Sequence, residues 1–515
     1  MNYIDFQKVN DFSNSESYDL VIIGAGAVGL YLATKYHDKR ILIIESGGFG
    51  ENETYQKLNK VKNLGKILNC SEWGRKRAIG GTTIKWGGQS LPFQNIDFED
   101  REWLTETKKW PISLDELRDS YNCVNSWMGV DTKDYRKEIE GLLNYKPLKF
   151  NTSLIDFHFS KWAKKPNFND IIKNKQTSHI DILYNATVSK LHMNLKSITS
   201  LTISDFNKSI QFPLSVPVIL ANHTIESVRS LLILNDEYKF LTPSKSPLLG
   251  AGFGEHPCMV VGELKTLNPY NIQRKLNTQL HGISKYGVRL SISDELIRKK
   301  QLLNISASIF HRYDEGFNPY QELLDFNNIF KLKKIFNFGV LKSLIKTTFA
   351  FFFHRFVYKH DSKIDVIVMC EQEWLSSSRI ELSDNLDELR MPVVNLTWKL
   401  SNLTSQTIVE FSKILQNEFR SLGLGEIELY SAIVNEDFIL IENKLSDVNH
   451  QMGGAVFGTD PDNSILNPNL RVHEVDNLYV ASCACFPSFS HSNPTLTLLA
   501  LADRMEIDFN KRSAT

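Results

Sequence analysis

Residues 18–29 of the chain read YDLVIIGAGAVG, and this stretch decides the fold. It begins with a continuous apolar run that ends in glycine, as in a parallel strand that is buried on both faces. The segment from Ala27 to about His37 is helical in pattern, and Ile41–Ile44 reads as a second buried strand. Strand, glycine turn, helix and strand together predict a βαβ unit of an α/β fold.

The three glycines of this turn have the spacing of a dinucleotide-binding fingerprint. Gly24 permits a tight turn, Gly26 lets the backbone approach a pyrophosphate, and Gly29 lets the helix pack closely on the strand. The helix that opens at Ala27 favours an anion at its N-terminus. Glu45 ends the second strand, where a carboxylate accepts hydrogen bonds from ribose hydroxyls. The pattern predicts a dinucleotide site but leaves FAD and NAD open, and a turn without a ligand is the alternative.

A second glycine-rich stretch spans residues 78–88 and reads AIGGTTIKWGG. Its glycines leave room for a ligand, and the threonine hydroxyls between them can donate hydrogen bonds. Such a segment suits close contact with the phosphates and ring of a flavin. Composition alone equally allows an ordinary surface turn.

Two segments near the C-terminus carry candidate chemistry: residues 449–454, NHQMGG, and residues 491–497, HSNPTLT. A histidine such as His450 can accept an alcohol proton while hydride leaves carbon, because its unperturbed pKa lies near neutral pH. The amide of Asn493 can hold a substrate oxygen without titrating. His491 is a rival base, and Asn493 before proline equally suits a turn or a helix cap.

Composition limits the class of protein. A chain of 515 residues predicts two domains or one large composite domain. Lys and Arg total 59, as do Asp and Glu, so no global positive field favours a nucleic-acid partner. We see no signal-peptide pattern and no apolar window of about 18 residues. The six cysteines lack zinc-type spacing, so we expect free thiols, no metal site and a cytoplasmic protein.

Together these motifs resemble the glucose-methanol-choline (GMC) oxidoreductase family. The resemblance runs in blocks over most of the chain, is strongest over residues 450–504 and is poor over 300–360. The other matching blocks are residues 24–29, 80–88, 110–113, 218–232, 254–257 and 378–383.

The resemblance implies a fold: an α/β chain with a Rossmann-like FAD-binding domain and a discontinuous α+β substrate-binding domain. We assign residues 1–90, 176–256 and 446–515 to the FAD-binding domain. Residues 91–175 and 257–445 then form the substrate-binding domain. Residues 1–17 are polar, and from their composition we expect them to be loosely ordered.

The resemblance also implies the site. His450 would be the base and Asn493 its partner, with hydride passing from the alcohol to flavin N5. His491 would be a neighbour of this pair. The residues expected to contact FAD are Gly24, Gly26, Ala27, Gly29, Glu45, Gly81, Thr82, Thr83, Trp86, Gly87, Val188, Ala221, Ala481, Ser482, Asn493, Pro494 and Thr495.

Three departures from the family pattern matter. Some members tether FAD through a histidine in the second glycine stretch, where this chain has Lys85, so we predict non-covalent FAD. Members often carry an acid where Ser482 stands. Residues 453–458, GGAVFG, lack the family's usual Gly-Thr and Arg-Met, which implies an atypical pocket near His450.

The predicted function is that of an FAD-dependent oxidoreductase acting on the CH–OH group of a small-molecule alcohol. The second glycine stretch and residues 110–113 look most like sugar-oxidising members, so a sugar, a polyol or a lipid-linked sugar is expected. The electron acceptor (oxygen, a quinone or a protein) stays open. The alternatives are a non-redox flavin-dependent lyase or isomerase on the same scaffold, and a degenerate binding protein.

Residues 325–359 form a basic and aromatic segment. It carries seven Lys and Arg residues against Asp325 alone, together with nine phenylalanines. One interpretation is a pair of helices whose aromatic side packs on the substrate-binding domain. The other is a peripheral contact with a membrane, at its inner face, through this segment.

Overall fold

The fold is described from a computed structural model, for residues 1–10, 12, 17–312, 338–359 and 362–509. Residues 325–337 of the basic and aromatic segment therefore lie outside the described residues. The strands are β1 (Asn2–Asp5), β2 (Leu20–Ile23), β3 (Ile41–Ile44), β4 (Val61–Asn63), β5 (Gln89–Ser90), β6 (Ile155–Trp162), β7 (Ile180–Tyr184), β8 (Thr187–Asn194), β9 (Ser197–Ser204), β10 (Ser209–Pro213), β11 (Val218–Leu220), β12 (Cys258–Lys265), β13 (Gln279–His281), β14 (Ser284–Ile292), β15 (Ile305–Arg312), β16 (Lys363–Cys370), β17 (Arg379–Leu386), β18 (Pro392–Thr397), β19 (Glu426–Leu429) and β20 (Leu478–Val480).

Helices connect and cover these strands. The α-helices are Ala27–Lys35, Glu53–Gln56, Asn95–Phe98, Arg118–Trp127, Lys137–Leu143, Phe168–Ile172, Thr224–Tyr238, Pro269–Leu276, Asp294–Lys300, Phe338–His354, Asn402–Ser421, Ser431–Val434, Phe438–Lys444 and Pro494–Arg504.

The first large sheet is parallel and runs in the order β1-β7-β3-β2-β11-β20. Its central strands β2, β3 and β11 are buried along their whole length. The chain leaves β2 for β3 on one side, while β11 lies on its other side. Such a change of direction opens a crevice at the carboxyl ends of the strands. The predicted Rossmann-like α/β fold is confirmed.

The second large sheet is antiparallel and runs in the order β19-β12-β16-β15-β14-β6-β5, with β13 paired to β14. One of its faces packs on the helix Asn402–Ser421 in an apolar core of its own, which includes Phe159, Leu290 and Phe411. The other face carries polar side chains. An antiparallel sheet can pack one face on an apolar core while its other, polar face stays accessible.

Two smaller sheets complete the fold: β10-β9-β8, and β17-β18-β4. In the second of these, β4 pairs in parallel with β18. Two stretches of the predicted substrate-binding part, residues 110–130 and 374–398, contribute Trp110, Val124 and Trp398 to the core around the parallel sheet. The domain boundaries stay a prediction.

The N-terminal residues differ from expectation. Asn2–Asp5 forms the edge strand β1 and pairs in parallel with residues 181–184 of β7. Phe6 follows and is fully buried. The prediction that residues 1–17 are loosely ordered is therefore wrong for residues 2–6, because backbone pairing with β7 and the buried Phe6 hold them.

Candidate active site

A cavity of about 440 Å³ lies at the carboxyl ends of the parallel strands. Gly24 follows β2, Glu45 follows β3, Ala221 follows β11 and Ala481 follows β20, and all four line the cavity. Open α/β sheets bind their ligands in this place. The fold therefore brings together residues that are far apart in sequence.

The three glycines of the fingerprint occupy three different positions. Gly24 has φ +107°, and a Cβ there would come within 2.7 Å of the Ala221 carbonyl oxygen. Gly26 precedes the helix Ala27–Lys35, and both it and Ala27 line the cavity. Gly29 does not line the cavity. A Cβ at Gly29 would lie 2.0 Å from the Gly24 carbonyl oxygen, so this glycine lets the helix pack closely on the strand.

Glu45 lies in the cavity wall with its carboxylate already engaged. Oε2 accepts a hydrogen bond from Ala25 N at 2.8 Å, and Oε1 accepts one from Gly47 N at 2.9 Å. Burial raises the pKa of Glu45 to about 7, against the lowering effect of these two donors. The carboxyl thus braces the glycine turn, and its contact with a ribose stays a prediction.

The second glycine stretch folds against the first. Gly81 has φ +53°, and a Cβ there would lie 2.8 Å from the Gly26 Cα. Thr83 Oγ1 donates to the Gly80 carbonyl at 2.6 Å, and the Trp86 indole donates to the Pro166 carbonyl at 2.6 Å. The cavity is lined from this stretch by Gly81, Thr82, Thr83, Trp86 and Gly87.

Lys85 points away from the cavity. Its side chain is 64% exposed and lies 3.5 Å from Glu51 Oε1. Lys85 is not among the residues that line the cavity. The remaining predicted contacts do line the cavity: Val188, Ala221, Ala481, Ser482, Asn493, Pro494 and Thr495.

His450 and Asn493 meet at the cavity wall. His450 Nε2 lies 3.1 Å from Asn493 Nδ2, and both residues line the cavity. His450 N donates to both oxygens of the buried Glu255, at 2.8 and 2.7 Å. Burial, with His256 and Arg289 nearby, lowers the pKa of His450 well below its usual value. The imidazole is therefore neutral at pH 7.

A chain of hydrogen bonds sets the tautomer of His450. The Phe489 carbonyl can only accept, so His256 Nε2, at 2.9 Å, must donate to it. Burial lowers the pKa of His256 to about 4, so its Nδ1 carries no proton at neutral pH. His450 Nδ1, 2.9 Å away, then donates to that nitrogen. The lone pair of His450 is left on Nε2, beside Asn493.

His491 lies outside the cavity wall. It is fully buried, its Nε2 is 3.3 Å from Gln94 Oε1, and its ring stacks on His158 at 5.3 Å between centroids. The structure thus places His450, and not His491, against Asn493.

The antiparallel sheet turns a polar face toward this region. Arg289 pairs with His158, and Gln89 pairs with Trp162, so their side chains leave the sheet on one side. Gln89 and Trp162 line the cavity. Gln89 Nε2 donates to Ser160 Oγ at 2.8 Å, and Arg289 Nη2 donates to Gln89 Oε1 at 3.4 Å. This face offers donors and acceptors to a hydroxylated ligand.

Several residues of the site were not predicted from the sequence. His256 and Glu255 belong to the GEHP block of residues 254–257, which carried part of the resemblance but had no role assigned. Arg75 and Arg77 also line the cavity, and each forms an ion pair with Glu226, at 2.7 and 2.9 Å. Only tertiary contacts reveal these partners, so no local signal could have found them.

Part of the chain is similar in sequence to known proteins. Residues 375–502 match the family model of the GMC oxidoreductases. Over 129 residues the chain is 27% identical to the large subunit of fructose dehydrogenase from Gluconobacter japonicus, covering 25% of this chain. The match spans only 22% of the length of that relative.

Solved structures show the same fold. Pyridoxine 4-oxidase from Mesorbium loti aligns with a TM-score of 0.56 at 14% identity, over 94% of this chain and 98% of that one. A formate oxidase variant from Aspergillus oryzae, studied for its FAD modification, aligns with a TM-score of 0.58 at 14% identity, over 96% and 98%. The resemblance to the GMC oxidoreductases is confirmed.

Proposed function

We propose that the protein oxidises an alcohol with non-covalent FAD. The premise is the match of residues 375–502 to the family model of the GMC oxidoreductases. The observation that carries the proposal is the pairing of His450 Nε2 with Asn493 at the wall of the dinucleotide cavity. A sugar or polyol is the proposed substrate class.

The residues present fit FAD. One end of the cavity is built from the backbone of Gly24, Gly26 and Gly81, where the absence of side chains leaves room for phosphates. Elsewhere in the cavity wall, Ser482 Oγ, just after β20, and Asn493 Oδ1, just before the helix Pro494–Arg504, are buried without a hydrogen-bond partner among the described residues. Buried polar atoms of this kind call for a ligand or water.

The proposed mechanism uses the tautomer of His450. Nε2 accepts the hydroxyl proton of the alcohol, and the amide of Asn493 donates to the developing alkoxide oxygen. When bound, FAD supplies the two-electron acceptor that the oxidation of an alcohol to a carbonyl requires. The hydrogen bond from His450 Nδ1 to His256 stabilises the imidazolium that forms.

Three features support the substrate class. The sheet face with Gln89, Ser160 and Arg289 is polar, as recognition of several hydroxyls requires. The second glycine stretch and residues 110–113 resemble those of sugar-oxidising members. The relative with a matching segment is a fructose dehydrogenase subunit.

The proposal is tested by absorption spectroscopy. We expect the purified protein to be yellow, and the colour to move to the supernatant after acid precipitation, because Lys85 gives no tether. Anaerobic mixing with sugars and polyols should bleach the flavin faster than mixing with apolar alcohols of equal size. Colour in the pellet would overturn non-covalent binding. A flavin that no alcohol bleaches would favour the lyase or isomerase.

His256 is expected to act as a positioning residue for His450. Changing His256→Phe removes the acceptor for His450 Nδ1–H, so both tautomers are populated and flavin reduction slows by about 10–100-fold. Changing His256→Asn keeps an acceptor near the place of Nδ1, so it should restore much of the rate. Stopped-flow flavin reduction measures both.

Comparing the rates of flavin reduction of the two variants shows whether His256 positions His450 or only fills space. A residue that served only packing would tolerate phenylalanine, which fills the volume, better than the smaller asparagine. A faster rate for His256→Phe than for His256→Asn would therefore contradict the positioning role. FAD content and thermal stability of both variants show whether the pocket stays folded.

A further inference from the structure

The helix Phe338–His354 turns large apolar side chains toward solvent. Ile345, Phe349, Phe352 and Phe353 recur at helical spacing and are 61%, 48%, 71% and 72% exposed. We call these four residues the aromatic face. Its exposure shows that the interpretation of an aromatic side packed on the substrate-binding domain is wrong for these side chains. Contiguous exposed apolar surface marks a contact site.

The opposite side of this helix is anchored to the fold. Ala350 is fully buried and packs with Phe356 and Tyr358. Tyr270 OH lies 2.7 Å from His354 Nδ1, and Lys359 N donates to Gln273 Oε1 at 2.7 Å. The helix is thus held by its inner side, and the aromatic face is presented at a fixed place on the surface.

The surroundings of the aromatic face are basic. The helix segment, residues 338–359, and the segment it contacts, residues 264–293, contain no Asp or Glu. The two are joined where Leu280 N donates to the Arg355 carbonyl at 2.6 Å. Exposed Arg355, Arg274 and Lys285 lie in these two segments, together with Lys346. Within these two segments, every residue with a full charge is therefore a cation.

We propose that the aromatic face docks on a membrane surface that contains anionic lipid. Phenylalanine side chains gain free energy by entering the interface between headgroups and acyl chains, and the flanking cations attract lipid phosphates. In the described part of the chain, no helix combines the length and the apolar character needed to cross a bilayer. The helix would therefore lie in the plane of the membrane. This proposal does not rest on the redox function.

Co-sedimentation with vesicles tests the proposal on the full chain with its cofactor. Wild type should sediment with vesicles of phosphatidylcholine and phosphatidylglycerol, and far less with phosphatidylcholine alone. The double change Phe352→Asp and Phe353→Asp should reduce binding by at least about tenfold, since it removes two apolar side chains from the contact. Lys285→Glu with Lys346→Glu should reduce binding to anionic vesicles only.

A matched control is Ile439→Asp, which changes an apolar residue that is 77% exposed on the helix Phe438–Lys444. It should bind vesicles as wild type does. Wild type that stays in the supernatant with both kinds of vesicle would overturn the proposal. Loss of a dimer in light scattering on changing Phe352 and Phe353, without vesicle binding by wild type, would instead assign the face to a second copy of this chain.

Discussion

Changing His450→Ala is expected to slow flavin reduction by about 10³-fold while FAD stays bound, because a positioned general base contributes about 10²–10⁴-fold. The variant removes the nitrogen that faces Asn493, but it leaves the backbone N–H that donates to Glu255. The glycine turn and Glu45, which form the proposed cofactor site, do not contact this imidazole. Anaerobic stopped-flow reduction with the best substrate of the panel measures the effect.

The pH dependence follows from the lowered pKa of His450. A base whose pKa is lowered is neutral above that pKa, and it loses activity only as acid protonates Nε2. Because the pKa of His450 is lowered well below the ordinary histidine value of about 6.5, the wild-type rate of flavin reduction should change little above that pH and fall only well below it. Burial raises the pKa of Glu255, which accepts from His450 N, to about 8. A steep rise in rate between pH 7 and 9 that persists in a Glu255→Gln variant would therefore contradict a neutral His450 as the base.

His491→Ala is the matched control for His450→Ala. His491 is fully buried and His450 is partly buried, and of the two only His450 lines the cavity and contacts Asn493. We expect His491→Ala to keep most of its rate per bound flavin. An active His450→Ala variant together with an inactive His491→Ala variant would instead identify His491 as the base. Absorbance at the flavin band normalises both rates to cofactor content.

The parallel sheet could be predicted because its signals are local. Strand β3 has the predicted bounds, Ile41–Ile44, since a short run of aliphatic residues, typical of a strand buried on both faces, is visible in the sequence itself. Strand β1 could not be predicted. Its residues Asn2–Asp5 are mostly polar and at least partly exposed, and they are held by backbone pairing with β7, some 180 positions away.

The same distinction applies to the site. Gly24, Gly26 and Glu45 lie within one βαβ unit, so their spacing alone indicated a shared cavity. His450 and Asn493 were inferred from a family resemblance, and the fold brings them within hydrogen-bonding distance. The role of His256 depends on a carbonyl at Phe489 and on a ring 194 positions away, which no spacing rule connects.

Changing Gly26→Val is expected to weaken FAD binding strongly while the protein stays folded. A Cβ at Gly26 would meet only the Gly81 Cα, at 3.9 Å, and the backbone there has φ −82°, which valine adopts without strain. The side chain would enter the space between the two glycine stretches, which forms the cavity wall. Gly24→Val, in contrast, would collide with the Ala221 carbonyl and lower the stability of the fold itself.

Gly26→Val therefore separates binding from folding. Filling this space should cost about 2–3 kcal/mol of binding free energy, or about 30–100-fold in Kd, as measured by flavin fluorescence on titration of the apoprotein. Gly50→Val is the matched control, because a Cβ at Gly50 meets nothing within 4 Å and lies outside the cavity wall. It should bind FAD as wild type does. Unchanged FAD affinity in a folded Gly26→Val protein would place the phosphates elsewhere and refute the assigned cofactor site, because no other glycine of the turn leaves its Cβ direction free for a ligand.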